Sequence, residues 1–150
     1  MALNSFSKHL YKYFQKYPVY LIYIPLFIYW IILFTATTIP TDKLPQLFPS
    51  QDKLEHFVAY AVLAFLLALA LHFQKKSVLL SSKMYVFTLL FVLTYGAIDE
   101  IHQLFVPGRY CDLLDWCADS IGGLIGILFA NLFLKAQYNK SENLLHGKAE

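Results

Sequence analysis

Charged residues are scarce in this sequence. Asp, Glu, Lys and Arg make up only 15% of its 150 residues, whereas 58% are hydrophobic and 17% are aromatic. The mean hydropathy is +0.51. A soluble domain of this size needs more polar surface than such a composition supplies. The shortage of charge therefore excludes an ordinary soluble domain and indicates an integral membrane protein.

Cysteine is nearly absent as well, and no cofactor motif is present. Cys111 and Cys117 lie six residues apart around the start of a predicted helix. This spacing has no metal signature and is poor for a disulfide within one helix, so we expect two packed thiols. The net charge of +2 is too small and too scattered to indicate a nucleic-acid partner. We therefore expect no cofactor, no metal and no nucleic acid.

Long apolar runs are abundant. Four of them can be marked out, at residues 18–39, 54–73, 84–106 and 113–134. Each is helical in length, and none alternates like a barrel strand. The sequence predicts an all-α fold with one domain of four transmembrane helices at residues 18–134. Tails at residues 1–17 and 135–150 flank this domain.

The lysines predict the orientation of the helices. Both tails and the connection between the second and third segments carry three lysines each. The first connection holds Lys43 and Lys53, and the third holds only Arg109. By the positive-inside rule, both tails are cytoplasmic, while the first and third connections face outward.

The acids cluster at the predicted outward side. The eight that lie there, of ten in the chain, are Asp42, Asp52, Glu55, Asp99, Glu100, Asp112, Asp115 and Asp119. Only 15 residues precede Asp99 in the third segment, at 84–98, and 14 follow Ser120 in the fourth, at 121–134. About 20 residues are needed to cross a bilayer. Asp99, Glu100 and His102 should therefore lie below the outer interface, facing protein rather than lipid.

Some of these acids have a structural explanation. Asp52 and Glu55 fit the N-cap and N3 positions of the second helix, and Asp112 and Asp115 fit those of the fourth. His56 shares a helical face with Asp52 and is a partner for a carboxylate or a titratable group of the cluster. Structural pairing and function both remain open for this histidine.

Asp119 lies one turn deeper, above a stripe of glycines. Gly122, Gly123 and Gly126 follow it on the same face, and Gly122 and Gly126 form a G-x-x-x-G pattern that permits close helix approach. We expect the glycines to pack against a neighbouring helix. Asp119 is either a hydrogen-bonding group across that contact or a functional residue.

Asp99 and Glu100 require a partner. Carboxylates near the C-terminal end of a helix oppose its dipole, and burial adds a desolvation penalty. Arg109, the only arginine, follows a Pro-Gly turn that can direct it toward these acids. Because guanidinium binds a carboxylate or a phosphate through two parallel hydrogen bonds, Arg109 is predicted to be a counter-ion or a substrate clamp.

Two stretches, DKLEHFVAYAVLAFLL (52–67) and YGAIDEIHQLFVPGRYCDLLDWCADSIGGLIG (95–126), resemble the VanZ-like membrane proteins. The pattern of that family matches here at Asp52, Lys53, His56, Glu100, Gln103, Arg109 and Asp115. Asp119 stands where many relatives carry Asn. The resemblance covers the last three helices. It implies a multi-pass protein of the bacterial cytoplasmic membrane, in a family whose founding member is associated with resistance to the glycopeptide teicoplanin.

Three functions follow, in order of preference. The first is a non-enzymatic protein that binds or modulates an envelope component or a glycopeptide through an outward-facing polar site. Its partners would be the lipid bilayer, an anionic lipid head group or cell-wall precursor, and a second copy of the chain. The predicted ligand-binding residues are Asp52, Lys53, His56, Asp99, Glu100, His102, Gln103, Arg109, Asp115 and Asp119.

The second function is a membrane-embedded enzyme acting on a lipid-linked substrate, with His56, Glu100 and Asp119 as candidate catalytic groups, metal-assisted or not. The third is a small proton-coupled carrier. A shared geometric prediction is that His56, Glu100, Arg109 and either Asp115 or Asp119 converge in one outward-opening pocket among the second, third and fourth helices.

Overall fold

Four long helices make up most of the part of the chain that the structure describes. The computed structural model describes residues 11–40 and 47–146, apart from the side chains of 137–146. This part of the chain is helical and contains no strand. The long helices are α1 (Val19–Thr37), α2 (Gln51–Phe73), α3 (Met84–Gln103) and α4 (Leu113–His146). All four are long and apolar enough to cross a membrane, which confirms the predicted fold class.

The helices pack around α2, with successive helices antiparallel and α2 parallel to α4. Helix α2 contacts α1, α3 and α4, and its contact with α4 is the most extensive in the molecule. The C-terminal ends of α1 and α3 meet the N-terminal ends of α2 and α4 at one end of the bundle. Two contacts show this: Lys53 bonds to Asp112, and Arg109 bonds to Ile39. We call this the acidic end, after the carboxylates that lie there.

Glycines permit the close contact between α2 and α4. A Cβ atom at Gly122 would collide with the backbone carbonyl of Phe57, and one at Gly126 with that of Ala61. A Cβ at Gly123 would come within 2.6 Å of Val92 on α3. The glycine stripe therefore lets two backbones touch, which brings the side chains above it on α4 against α2.

Apolar packing fills the bundle below the acidic end. One buried cluster contains Leu33, Tyr60, Leu63, Ala64 and Val92, and another contains Ile22, Leu69, Ala70, Phe73 and Leu134. Large apolar side chains such as Ile28 and Leu124 are about half exposed on the outside, at 51% each. An apolar exterior of this kind suits a lipid environment.

The helices differ from the sequence prediction in several ways. Helix α1 begins with a π-helical turn, Val19–Tyr23, just before Pro25, whose ring crowds the carbonyl four residues earlier. Helix α3 ends at Gln103, and residues 104–106 form tighter turns with bonds to the third residue back, rather than continuing the helix. Helix α4 continues to His146, past the predicted end at residue 134.

Candidate functional site

Three buried side chains from three helices meet at the acidic end. His56 of α2 is 7% exposed, Glu100 of α3 is 3% exposed and Asp119 of α4 is fully buried. His56 Nδ1 lies 2.9 Å from Asp119 Oδ1 and 3.8 Å from Glu100 Oε1. One potential ligand atom from each residue lies within 4.8 Å of the other two. We call this group the buried triad.

Glu100 is oriented by the start of α4. Asp112 is the N-cap of that helix, since its Oδ1 accepts the Leu114 N–H at 2.8 Å. The backbone N–H of Asp112 donates to Glu100 Oε2 at 2.8 Å. In a capping box, a Glu at N3 of the same helix binds that N–H. Here a carboxylate from α3 binds it instead, which leaves Glu100 Oε1 directed toward His56.

Gln103 covers the triad on the side nearer the acidic end. Its side chain is 2% exposed. Its Nε2 lies 3.4 Å from Glu100 Oε1 and 3.5 Å from His56 Nε2. Both distances are at the long limit for hydrogen bonds. Gln103 therefore contacts both the histidine and the glutamate, as expected for a residue that sets their orientation.

Lys53 forms a second layer nearer the end of the bundle. Its Nζ lies 2.7 Å from Asp112, 2.9 Å from Asp115 and 3.3 Å from Asp52. The hydrogen bond from this ammonium lowers the pKa of Asp112 below its ordinary value. Asp115, which is 6% exposed, is the buried member of the layer. The main counter-ion of the acids here is thus Lys53.

Arg109 does not take the predicted role of counter-ion. Its Nε donates to the carbonyl of Ile39 at 3.1 Å, and Nη2 donates to that of Ala36 at 3.5 Å. No ion pair joins it to an acid within the described ranges 11–40 and 47–136. The last carbonyls of a helix lack partners within that helix. Arg109 therefore binds the C-terminal end of α1 and ties α1 to the turn after α3.

The expected capping of α2 by Asp52 and Glu55 is wrong. The helix begins at Gln51, and its N-cap is Ser50, which has a left-handed backbone with φ of 61° and forms no side-chain cap bond. Asp52 lies in the first turn instead, where the helix dipole still favours a carboxylate. Glu55 accepts a bond from Gln51 Nε2 at 2.7 Å.

A cavity of about 220 Å³ opens beside the triad, between α1, α2 and the end of α3. Its polar lining includes His56, Asp99 and Arg109. Asp99 is 2% exposed, and Tyr60 donates to it at 3.4 Å. The remaining lining is mainly apolar and comes largely from α1: Tyr29, Ile32, Leu33, Ala36 and Ile39. The cavity thus has one polar wall and one apolar wall.

His102 lies apart from the triad. Its ring stacks on Phe34 of α1, with centroids 5.2 Å apart, and its Nδ1 is buried without a hydrogen-bond partner among the described residues. The α1 lining and Tyr60 were not among the predicted site residues. Tyr60 could have been found, because it lies four residues after His56 on the same helical face. The α1 residues carry no motif.

Residues 6–134 match the family model described as VanZ/LLP1. This chain belongs to the VanZ/LLP1 family. No curated protein matches it, and no solved structure does. Family membership and the four apolar helices together identify a multi-pass membrane protein.

The site of this VanZ/LLP1 protein lies wholly within the matched residues. Of the seven positions that carry the VanZ-like pattern, Asp52, Lys53 and Asp115 meet in the lysine layer. His56, Glu100 and Gln103 meet in the triad region, and Arg109 bonds to α1. An imidazole held against two carboxylates can exchange a proton, orient a water molecule or bind a cation.

Proposed function

We propose that this VanZ/LLP1 protein binds the polar head group of an anionic envelope lipid or lipid-linked cell-wall precursor. The supporting observation is the cavity beside α1, which joins an apolar wall on a lipid-facing helix to a polar wall holding Arg109. A lipid has the same division, with an apolar chain and a charged head. The function is binding or modulation of that envelope component.

Arg109 recognises the anionic group in this proposal. Its two bonds to α1 carbonyls use two of the five N–H groups of the guanidinium. The others can bind a phosphate oxygen through charge-assisted hydrogen bonds. The bonds to α1 also hold the guanidinium at the rim of the cavity, so little side-chain freedom is lost when a ligand binds.

The size of the cavity favours a head group over a whole antibiotic. Pockets for drug-sized ligands have volumes of about 300–1,000 Å³, whereas this cavity measures about 220 Å³. A glycopeptide would not fit inside it. An effect on teicoplanin susceptibility, which the VanZ resemblance suggests, would then follow indirectly from binding an envelope component at the surface where the antibiotic acts.

The lysine distribution supports the location of the site. Three lysines lie in each tail and three in the connection between α2 and α3. That connection lies at the end of the bundle opposite the triad. We propose that this end is cytoplasmic in a bacterial inner membrane, and that the acidic end faces the extracytoplasmic side.

The test is retention of native lipid. The full chain and its variants are purified in mild detergent, and bound lipid is measured by native mass spectrometry, with added phosphatidylglycerol or undecaprenyl phosphate as probes. We expect Arg109→Ala, which removes the charge, to lower lipid occupancy about tenfold, as loss of a charge-assisted bond predicts. Ala36→Trp, which fills the cavity, should have a similar effect.

Two matched controls separate this effect from general loss of charge or of packing. Lys76→Ala removes an exposed cation at the opposite end of the bundle. Ile28→Trp places the same large side chain at a position of α1 that is 51% exposed. Both should retain lipid like the wild type. Unchanged lipid in Arg109→Ala and Ala36→Trp would contradict the proposal.

An enzyme acting on a lipid-linked substrate is the second candidate, and the His56–Asp119 contact of 2.9 Å favours it. A carboxylate that orients a histidine is the usual arrangement of a general base. Incubation with a labelled lipid-linked pyrophosphate distinguishes the two functions. Turnover by the wild type that is lost in His56→Gln, with lipid binding retained, would favour the enzyme.

A further inference from the structure

The charges of the buried triad do not balance. Within the described ranges 11–40 and 47–136, only the imidazole of His56 is in ion-pair contact with Glu100 and Asp119. Lys53, the nearest ammonium in the ion-pair network, bonds to Asp52, Asp112 and Asp115 instead. Two buried carboxylates therefore face at most one positive charge, in a position where unpaired charge is strongly destabilising.

One carboxylate oxygen of the triad has no partner. The side chain of Asp119 is only 1% exposed, so water does not reach it freely. Its Oδ2 atom nevertheless accepts no hydrogen bond from the described residues. It faces Gly96 of α3, where an added Cβ would lie 3.0 Å from it. A buried acceptor without a donor is rare in proteins and points to a missing ligand.

From this geometry we propose that His56, Glu100 and Asp119 bind a divalent first-row metal ion, Zn²⁺ by preference. An imidazole nitrogen and two carboxylate oxygens are ligand types that Zn²⁺ accepts. With a neutral imidazole, the 2+ charge of the ion balances the charges of the two carboxylates. Asp119 would then bind the ion through both of its oxygens, including the one that now lacks a partner.

The distances fit such an ion. Zn²⁺ lies about 2.0–2.2 Å from nitrogen and oxygen ligands, which places tetrahedral ligand atoms about 3.4 Å apart. The separations from His56 Nδ1 are 2.9 Å to Asp119 and 3.8 Å to Glu100, on either side of this value. All three ligand atoms lie within 4.8 Å of one another. Binding requires side-chain shifts that bring them to the tetrahedral separation, and loss of the proton shared by His56 and Asp119.

The surrounding residues already orient the ligands. The Asp112 N–H holds Glu100 Oε2 at 2.8 Å, so that Oε1 faces His56. The Gln103 amide lies beside His56 Nε2 at 3.5 Å. Turned by 180°, this amide presents its oxygen to an Nε2–H, which is the usual partner of a metal-bound histidine. The metal site does not depend on the lipid proposal, because it uses different residues apart from His56.

The test uses metal alone. The untagged full chain is purified in detergent, stripped with a chelator and dialysed against Zn²⁺, Mn²⁺ or Mg²⁺, and bound metal is counted by elemental mass spectrometry. We expect about one Zn²⁺ per chain. Zinc at a hundredfold excess over its Kd should also raise the Tm by about 5–10 °C.

Three ligand variants and one matched control complete the design. His56→Gln, Glu100→Gln and Asp119→Asn should each weaken Zn²⁺ binding by at least about tenfold and abolish the Tm shift. Asp115→Asn removes a buried carboxylate one turn away that bonds to Lys53, and should bind like the wild type. Circular dichroism of each stripped variant establishes that it is folded.

Two results would overturn the metal site. One is a stripped wild type that takes up neither Zn²⁺ nor Mn²⁺ at micromolar concentration. The other is a folded ligand variant that binds metal as the wild type does. Three separate ligand variants keep the test decisive if one of them fails to fold. A wild type that binds metal but no lipid would count against the lipid proposal alone.

Discussion

Glu100 illustrates how one carboxylate serves two helices. It lies three residues before the end of α3, where the dipole of its own helix disfavours a negative charge. Its Oε2 accepts the N–H of Asp112 at the start of α4, where the dipole favours that charge. Antiparallel packing places these two helix ends side by side. The unfavourable position that the sequence indicates is thus offset by a contact with the next helix.

The Lys53–Asp112 pair predicts a pH-dependent stability. The ammonium lowers the pKa of Asp112 in the folded state. Its stabilising effect is therefore complete above the unfolded pKa of about 4 and is lost as the pH falls through the lowered folded pKa. We expect the Tm difference in detergent between the wild type and Asp112→Asn to be small at pH 7 and to shrink toward pH 3.

Asn is a suitable replacement because it also caps helices well, so the start of α4 is retained. In a Lys53→Gln background, Asp112→Asn should no longer change the pH dependence of the Tm, since the interaction is already absent. A Tm difference that stays constant from pH 7 to pH 3 would show that this ion pair does not stabilise the fold.

Among the contacts between helices, the one between α2 and α4 sets the geometry of the site. His56 lies on α2 just before Phe57, whose carbonyl touches Gly122 of α4. Asp119 lies one turn before Gly122 on α4. The backbone approach therefore sets the 2.9 Å separation of His56 and Asp119. The close contact that the glycines permit therefore also positions the polar side chains on the same face of α4.

Gly126→Ala tests this contact. The added methyl group would collide with the carbonyl of Ala61 and lie 2.9 Å from the Cβ of Ala64, so the helices must separate. We expect a loss of about 1–3 kcal/mol in unfolding free energy, as for other overpacked sites. Denaturant unfolding in detergent measures it. Leu124→Ala, on a side chain that is 51% exposed, should change stability by less, and equal effects would contradict this account.

The molecule as a whole has charge at its ends and apolar surface between them. This distribution predicts a membrane orientation with both tails in the cytoplasm. Cys111 is exposed at the acidic end and offers a native probe. In intact cells, a membrane-impermeant maleimide should label Cys111 in the Cys117→Ser variant.

The matched probe is Lys76→Cys in a chain that lacks both native cysteines. Lys76 is exposed in the connection at the opposite end of the bundle. We expect its labelling only after the cells are permeabilised. Labelling of Lys76→Cys, and not of Cys111, in intact cells would reverse the orientation and place the triad near the cytoplasm.

Much of the architecture was predictable because it depends on local properties. Helix length and hydropathy are sums over neighbouring residues, so four apolar segments predict four helices. Helix ends were less predictable. Helix α3 stops at Gln103 although apolar residues follow, because in a continued helix the ring of Pro107 would clash with the Gln103 carbonyl. The Ser50 cap, with its left-handed backbone, has no clear sequence signal.

The sequence by itself determined a four-helix membrane protein with its acids gathered at one end and glycines on the face of α4. Only the tertiary structure decided which cation binds which acid. His56 and Asp119 are 63 residues apart, and Arg109 and Ile39 are 70 apart. Each residue turns a helix by about 100°, so partners depend on how each helix is rotated and packed. Because of that rotation, Lys53 pairs with the acids, Arg109 bonds to α1, and the three residues of the buried triad meet.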